Sequence, residues 1–131
     1  MKVSSLGHVV LRVSNLERSE AFYSGVLGLP VCARYKERDM VFFSLGDHHD
    51  FAIASVGDDA PRPQENATGL VHVAFRIGDD TETLKPAKAD METANVKILR
   101  PVEHDVPKSN SMPAPSGNRV EADVDGCDMW E

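Results

Sequence analysis

Hydrophobic and polar residues alternate along two short stretches of this chain that are nearly copies of each other. HVVLRV begins at His8 and HVAFRI begins at His72. Because successive side chains of a β-strand point to opposite faces, each stretch has one apolar face and one face that carries a histidine and an arginine. The pattern predicts two equivalent strands whose apolar faces pack against helices; these faces are Val9, Leu11 and Val13 in the first and Val73, Phe75 and Ile77 in the second.

Each of these strands precedes the same succession of elements. In the first half, Ser14 and Glu17 form a capping-box pattern for a helix of about four turns, which Gly28 and Pro30 end. Short apolar runs then predict three strands, at about 31–36, 40–45 and 50–56.

The second half repeats this order after a segment rich in Pro, Asp and Gly. It predicts a strand at 71–77, a helix at about 80–94, and strands near 96–100, 108–113 and 119–124. The sequence therefore predicts an α+β fold of two paired β-α-β-β-β modules. We expect one domain, residues 1–131, with module 1 at about 1–57, a linker at 58–69 and module 2 at about 70–126.

The faces opposite the helices carry groups that bind divalent metal ions. If the modules pack with equivalent strands side by side, His8 and His72 enter a shared cavity, and the alternation in RVEADV places Glu121 and Asp123 on the cavity face. Two neutral imidazoles and a carboxylate form a metal site with open coordination positions. Taken singly, each residue is more often a solvated strand residue, so the hypothesis depends on the duplication.

Size and charge narrow the classes of function. The chain has 131 residues, of which 41% are hydrophobic and 27% charged, as is typical of a folded domain. A formal net charge of −7 disfavours nucleic-acid binding. No apolar run has the length of a membrane span, and the first ten residues lack a signal-peptide pattern. We therefore expect a cytoplasmic protein with neither a nucleic-acid nor a membrane partner.

Further histidines and arginines are candidates for supporting roles. His48 and His49, in GDHHDFAIA, are either a polar strand end or a source of an acid–base group at the cavity rim. Arg12 and Arg76 either bind an anionic group or form surface ion pairs, and we favour the surface pairs. His104, taken in isolation, is an exposed loop residue.

Four stretches of the sequence resemble the vicinal oxygen chelate superfamily, which includes glyoxalases, bleomycin- and fosfomycin-resistance proteins, methylmalonyl-CoA epimerases and extradiol dioxygenases. They are GHVVLRVSNLERSEAFYSGVLGL, GDHHDFAIA, GLVHVAFRI and PSGNRVE, and the resemblance extends over nearly the whole chain. It implies paired βαβββ modules that form a metal-binding cup, a small-molecule substrate and a homodimer.

The resemblance also implies a metal ligand set of His8, His72 and Glu121. Glyoxalases of this superfamily often have a fourth ligand on the last strand of the first half, where this sequence has Ala52 and Ala54. A three-ligand set is typical of non-haem iron oxygenases, so the chain is most similar to the extradiol dioxygenase-like branch. Fe(II) is the favoured metal, with Mn(II), Zn(II), Ni(II) or Co(II) as alternatives, and O₂ is the expected co-substrate.

The same branch implies roles for residues around the substrate. His49 matches the acid–base histidine of extradiol dioxygenases, and His104 matches a further histidine near the substrate. His48 and Ser111 are also expected there. Ser111 departs from the family pattern, because it occupies the position of a tyrosine that normally forms a hydrogen bond near the substrate.

These observations leave three functions to compare. The first is extradiol cleavage of a catecholic ring, and the second is a glyoxalase- or epimerase-like isomerisation that depends on a metal. A requirement for O₂ and ferrous iron would separate the first from the second. The third is binding of a small molecule without a catalytic metal, as in bleomycin-resistance proteins, which would survive replacement of the three ligands.

Overall fold

The computed structural model describes residues 1–97, 100–101 and 109–124, and the chain divides into two compact units, Met1–Pro61 and Arg62–Glu131. The division lies within the predicted linker 58–69. Each unit contains one four-stranded sheet and one helical segment that connects its first two strands.

The first unit has the element order that its sequence predicts. Its strands are β1 (Val9–Val13), β2 (Val31–Tyr35), β3 (Met40–Phe43) and β4 (Phe51–Ser55), and helix α1 (Leu16–Glu20) continues as a π-helical segment (Ala21–Val26). A single 3₁₀ turn, Lys36–Arg38, connects β2 to β3. The sheet order is β1-β4-β3-β2, in which β1 and β4 are parallel and the other pairs are antiparallel.

The second unit repeats this arrangement. Its elements are β5 (Val73–Gly78), a 3₁₀ turn (Thr81–Thr83), α2 (Leu84–Thr93), β6 (Arg100–Pro101), β7 (Ser109–Pro113) and β8 (Arg119–Val124). The sheet order is β5-β8-β7-β6, and β5 and β8 are again the parallel pair. The duplication and the α+β class predicted from the sequence are therefore confirmed.

The sequence predicted the C-terminal end of the first helix correctly but placed its N-cap one residue too early. Gly28 has φ 76°, the left-handed conformation that ends helices, as predicted. The N-cap, however, is Asn15 and not Ser14: the Asn15 side chain accepts a hydrogen bond of 2.8 Å from the backbone N–H of Arg18. Ser14 instead lies in the bend between β1 and the helix, where its carbonyl accepts a hydrogen bond from the Ser55 hydroxyl.

The second helix is shorter than predicted. Regular α-helix begins at Leu84, after the 3₁₀ turn, so that Pro86 lies in the first helical turn. Proline is accepted there because the first backbone N–H groups of a helix have no intrahelical partner.

The strand faces predicted to be apolar are less exposed than the opposite faces in β1, β5 and β8, although Val73, Phe75 and Ile77 of β5 are only half-buried. In β1, Leu11 and Val13 are buried while Val10 and Arg12 are exposed, and in β8 the buried residues are Val120, Ala122 and Val124. Alternation along β1, β5 and β8 therefore leaves the opposite face for polar and candidate site residues, whereas Phe51, Ala52 and Ile53 of β4 are all buried.

Tyr23 lies at the centre of the aromatic core of the first unit. Its ring centroid is 5.0 Å from that of Phe51 and 6.2 Å from that of Phe43, and the residue is fully buried. Among the described residues its hydroxyl has no hydrogen-bond partner. Burial raises the pKa of Tyr23 above the ordinary value of 10.0, because the phenolate would be far from water.

A pair of glycine substitutions tests the helix end. Nothing lies within 4 Å of a Cβ added at Gly25 or at Gly28, so backbone conformation alone separates them. Gly28→Ala should lower the free energy of unfolding by about 1 kcal/mol because of its positive φ. Gly25→Ala, within the helical segment, should raise it by about 0.5–1 kcal/mol. Urea denaturation of both variants measures the free energy of unfolding, and equal changes in the two variants would contradict a helix end at Gly28.

The buried tyrosine predicts a pH dependence of stability. Because the pKa of Tyr23 is raised in the folded chain, the unfolded chain loses this proton at a lower pH. The contribution of Tyr23 to the free energy of unfolding is therefore intact below about pH 10 and decreases above it. The wild type should therefore lose about 1.4 kcal/mol per pH unit more than Tyr23→Phe in this alkaline range. Denaturation curves from pH 8 to 11 measure the difference. The exposed Tyr35 provides the control, because Tyr35→Phe should retain the decline.

Candidate functional site

In the second unit, a histidine and a glutamate from different strands meet on the polar face of the sheet. His72 directly precedes β5, and Glu121 lies in β8 opposite Ala74. His72 Nε2 is 3.9 Å from Glu121 Oε2, and their side chains are 42% and 19% exposed. The two groups are thus close together and still accessible to a ligand.

This pair fits the requirements of a divalent metal. Neutral imidazole and carboxylate are both ligands of Fe(II) and Zn(II), with bonds of roughly 2.0–2.2 Å. Neighbouring ligand atoms of one such ion are about 3 Å apart, so a shift of about 1 Å would bring His72 and Glu121 to ligating distance. Within the described ranges, no group of three or more His, Cys, Asp and Glu side chains is placed to hold a metal ion.

In the first unit, three histidines form a continuous group of ring contacts. The ring centroids of His8 and His49 are 4.7 Å apart, and those of His48 and His49 are 4.9 Å apart. The Phe42 ring contacts His49 edge-on at 5.4 Å. His49 therefore lies between a candidate ligand and an aromatic surface, whereas His48 is more exposed, with its Nδ1 3.5 Å from Asp47.

Asp50 connects the histidine cluster to β1, although the sequence pattern alone does not single it out. Its carboxylate accepts a 2.6 Å hydrogen bond from the backbone N–H of Leu45, which closes the turn that carries His48 and His49. Its backbone carbonyl accepts from the N–H of Val9, the residue after His8. One residue therefore connects the turn to the start of β1. The short polar run GDHHD is typical of such an Asp-closed turn.

Strand register identifies the counterpart of Glu121 in the first unit. Val10 pairs with Ala52 in the parallel ladder of β1 and β4, and the equivalent Ala74 pairs with Glu121. Ala52 therefore occupies the position of Glu121, and the predicted asymmetry between the halves is confirmed. The first unit has an imidazole at the start of its first strand but no carboxylate at this position.

The other predicted site residues are only partly described. In β7, the backbone of Ser111 lies opposite Glu121, in register. His104 lies outside the described residues. The predicted metal triad is divided between the units: the first contains His8, and the second contains His72 and Glu121.

The chain belongs to the glyoxalase/bleomycin resistance protein/dioxygenase superfamily, whose family model matches residues 5–122. The duplicated βαβββ fold agrees with this assignment. Members of the superfamily bind small-molecule substrates and generally depend on a divalent metal ion.

Two curated relatives have different activities. Catechol-2,3-dioxygenase of Bacillus subtilis (strain 168) is 36% identical over 67 residues, which are 50% of this chain and 24% of that protein. Mitochondrial methylmalonyl-CoA epimerase of Bos taurus is 28% identical over 102 residues, 72% of this chain and 56% of that protein. The chain thus spans about a quarter of the first relative and just over half of the second.

Solved structures support the fold. A glyoxylase/bleomycin resistance protein/dioxygenase domain from Frankia sp. EAN1pec superposes with a TM-score of 0.76 over 95% of this chain and 94% of that one, at 17% identity. In the described part of the chain, no helix has the length and apolar character needed to span a membrane.

Proposed function

We propose that this chain is a metal-dependent oxidoreductase that cleaves a catecholic ring beside its two hydroxyl groups. One divalent ion, for which Fe(II) is the favoured identity, would have His8, His72 and Glu121 as its ligands. The observation that carries the proposal is Ala52 at the position equivalent to Glu121. Because this position offers no carboxylate in the first unit, it supports a set of two histidines and one carboxylate, which is typical of non-haem Fe(II) oxygenases. The catechol dioxygenase relative supports the substrate class.

The chain's own residues would orient the substrate and move its proton. When bound, the metal ion would supply a Lewis acid that polarises the substrate oxygens. A hydroxyl bound on the His8 side would lie near the His49 ring, whose nitrogen accepts the hydroxyl proton. Contact with Phe42 restricts rotation of that ring. The proposal also gives His48, Ser111 and His104 roles in contacting the substrate.

Isomerisation is the second candidate, and the epimerase relative favours it. That relative matches a larger share of this chain than the dioxygenase does, 72% against 50%. Such an enzyme needs a metal and a proton-transferring carboxylate but no oxygen. For either enzyme we also propose that residues 1–131 form a single domain, that the protein is a homodimer and that it is located in the cytoplasm.

The ligand assignment predicts metal content. Anaerobically purified protein supplied with Fe(II) should bind one ion per chain, and His8→Ala, His72→Ala and Glu121→Gln should each weaken binding by at least about 100-fold. Glu82→Gln is the matched control, because Glu82 is exposed and its Oε2 is paired with Lys85 Nζ at 3.0 Å. Elemental analysis after dialysis measures the loss. Wild-type metal content in Glu121→Gln would overturn the ligand set.

The reaction is tested separately from the metal site. The Fe(II)-loaded protein should consume O₂ with a member of a catechol panel and form a yellow ring-cleavage product. His49→Ala should retain the metal and lower kcat by about 10²–10⁴-fold, and His48→Ala should have a smaller effect. The absence of O₂ uptake with every catechol would exclude ring cleavage. Anaerobic turnover of an epimerisable substrate with Ni(II), Co(II) or Zn(II) would establish the isomerase instead.

A further inference from the structure

Asp50 is a carboxylate beside the histidine cluster that the proposed mechanism does not use. It directly follows His49, and its hydrogen-bond partner Val9 directly follows His8. The Asp50 carbonyl accepts from the N–H of Val9 at 3.2 Å, and its own N–H donates to the Phe43 carbonyl at 3.0 Å. The backbone of Asp50 therefore joins β1 to the end of β3 at the place where both histidines lie.

The side chain of Asp50 adds a third connection, which closes the turn itself. Its Oδ2 accepts a hydrogen bond of 2.6 Å from the backbone N–H of Leu45. A hydrogen bond to a charged acceptor is about twice as strong as a neutral one. Gly46, inside this turn, has φ 124° and the conformational freedom of glycine. The carboxylate therefore restrains a segment whose own backbone is permissive, and this segment carries His48 and His49.

The ring of His49 contacts groups that the strands fix. Its centroid is 4.7 Å from that of His8, which directly precedes β1, and 5.4 Å from that of Phe42, which lies in β3. Strand pairing sets the positions of both partners, whereas His49 itself lies in the connection between β3 and β4. Opening of the turn would therefore displace His49 relative to both rings.

We propose that Asp50 is a positioning residue, whose carboxylate closes the turn and so holds the ring of His49 against that of His8. The inference rests on the proposed function, in which His8 is a metal ligand and His49 accepts the substrate proton. A general base must lie within about 2.6–3.2 Å of the group that it deprotonates. A displacement of about 1 Å lowers such a rate by as much as about 100-fold. Asp50 thus acts through His49 and needs no contact with the substrate.

Nuclear Overhauser effects test the positioning without any substrate or metal. The full chain with no metal added should show cross-peaks from the ring protons of His49 to those of His8 and Phe42, because these rings are in contact. Asp50→Ala removes the acceptor, so it should lose both cross-peaks. Asp50→Asn keeps an oxygen that can accept the same hydrogen bond, so it should retain them.

The rate of the proposed reaction is the second measurement. In the Fe(II)-loaded protein, Asp50→Ala should lower kcat for catechol cleavage by about 10- to 100-fold and leave KM within about twofold, because the groups that bind the substrate stay in place. Asp50→Asn should stay within about threefold of the wild-type kcat. Asp50→Glu keeps the charge but moves the carboxylate by one carbon, so it should resemble Asp50→Ala if that variant does not fold.

Asp80→Ala is the matched control, because Asp80 also closes a turn with its carboxylate but lies in the second unit. Its Oδ1 accepts a hydrogen bond of 3.2 Å from the backbone N–H of Thr83. Asp80→Ala and Asp50→Ala should both lower Tm, since each loses a hydrogen bond to a charged group. Only Asp50→Ala should change the ring cross-peaks and kcat.

The two measurements distinguish this inference from the proposed function. A folded Asp50→Ala with wild-type cross-peaks or wild-type kcat would overturn the positioning role alone. The role would also be overturned if Asp50→Ala and Asp50→Glu both failed to fold, because Asp50 would then be needed for folding as a whole. Cross-peaks that depend on Asp50 in a protein without O₂ uptake on any catechol would support the positioning and reject ring cleavage.

Discussion

The parallel pairing of the first and last strand in each unit is the constraint on which the candidate site depends. In the second unit it puts β8 between β5 and β7, so that Glu121 has neighbours on both sides. It also brings His72, which precedes β5, close to the glutamate, with His72 Nε2 3.9 Å from Glu121 Oε2. A parallel pair requires a long crossover, and here the helix and the intervening strands provide it. Helix α2, whose Leu84 and Met91 are buried, packs against β7 and β8.

One scaffold carries different chemistry in the two units because strand faces are independent. Ala52 in β4 has Val10 and Phe42 as neighbours, whereas the equivalent Glu121 has Ala74 and Ser111. Ala52 is fully buried, whereas the Glu121 side chain is 19% exposed, so the two positions also differ in their access to solvent. The first unit thereby offers imidazoles beside an apolar surface, and the second offers an imidazole with carboxylates.

Membership of the superfamily defines the scaffold more narrowly than the reaction. The curated relatives are a dioxygenase and an epimerase, and each covers the chain only in part. A fold of this kind accommodates different reactions because the ligands and their surroundings change independently of the core. The number of carboxylates that reach the metal, and the polar groups beside them, are therefore the features that distinguish the candidate functions.

The sequence by itself determined the repeated order of elements, the buried face of the strands and the helix end at Gly28, because these follow from local alternation and backbone preference. The sequence did not determine the residue at which the first helix begins. Ser14 and Asn15 are both good N-caps, and the cap fell to Asn15 because strand pairing extends to Val13 and the Ser14 carbonyl accepts a hydrogen bond from the Ser55 hydroxyl. Only the tertiary structure brought His72 to Glu121, because strand register joins residues that are far apart in sequence.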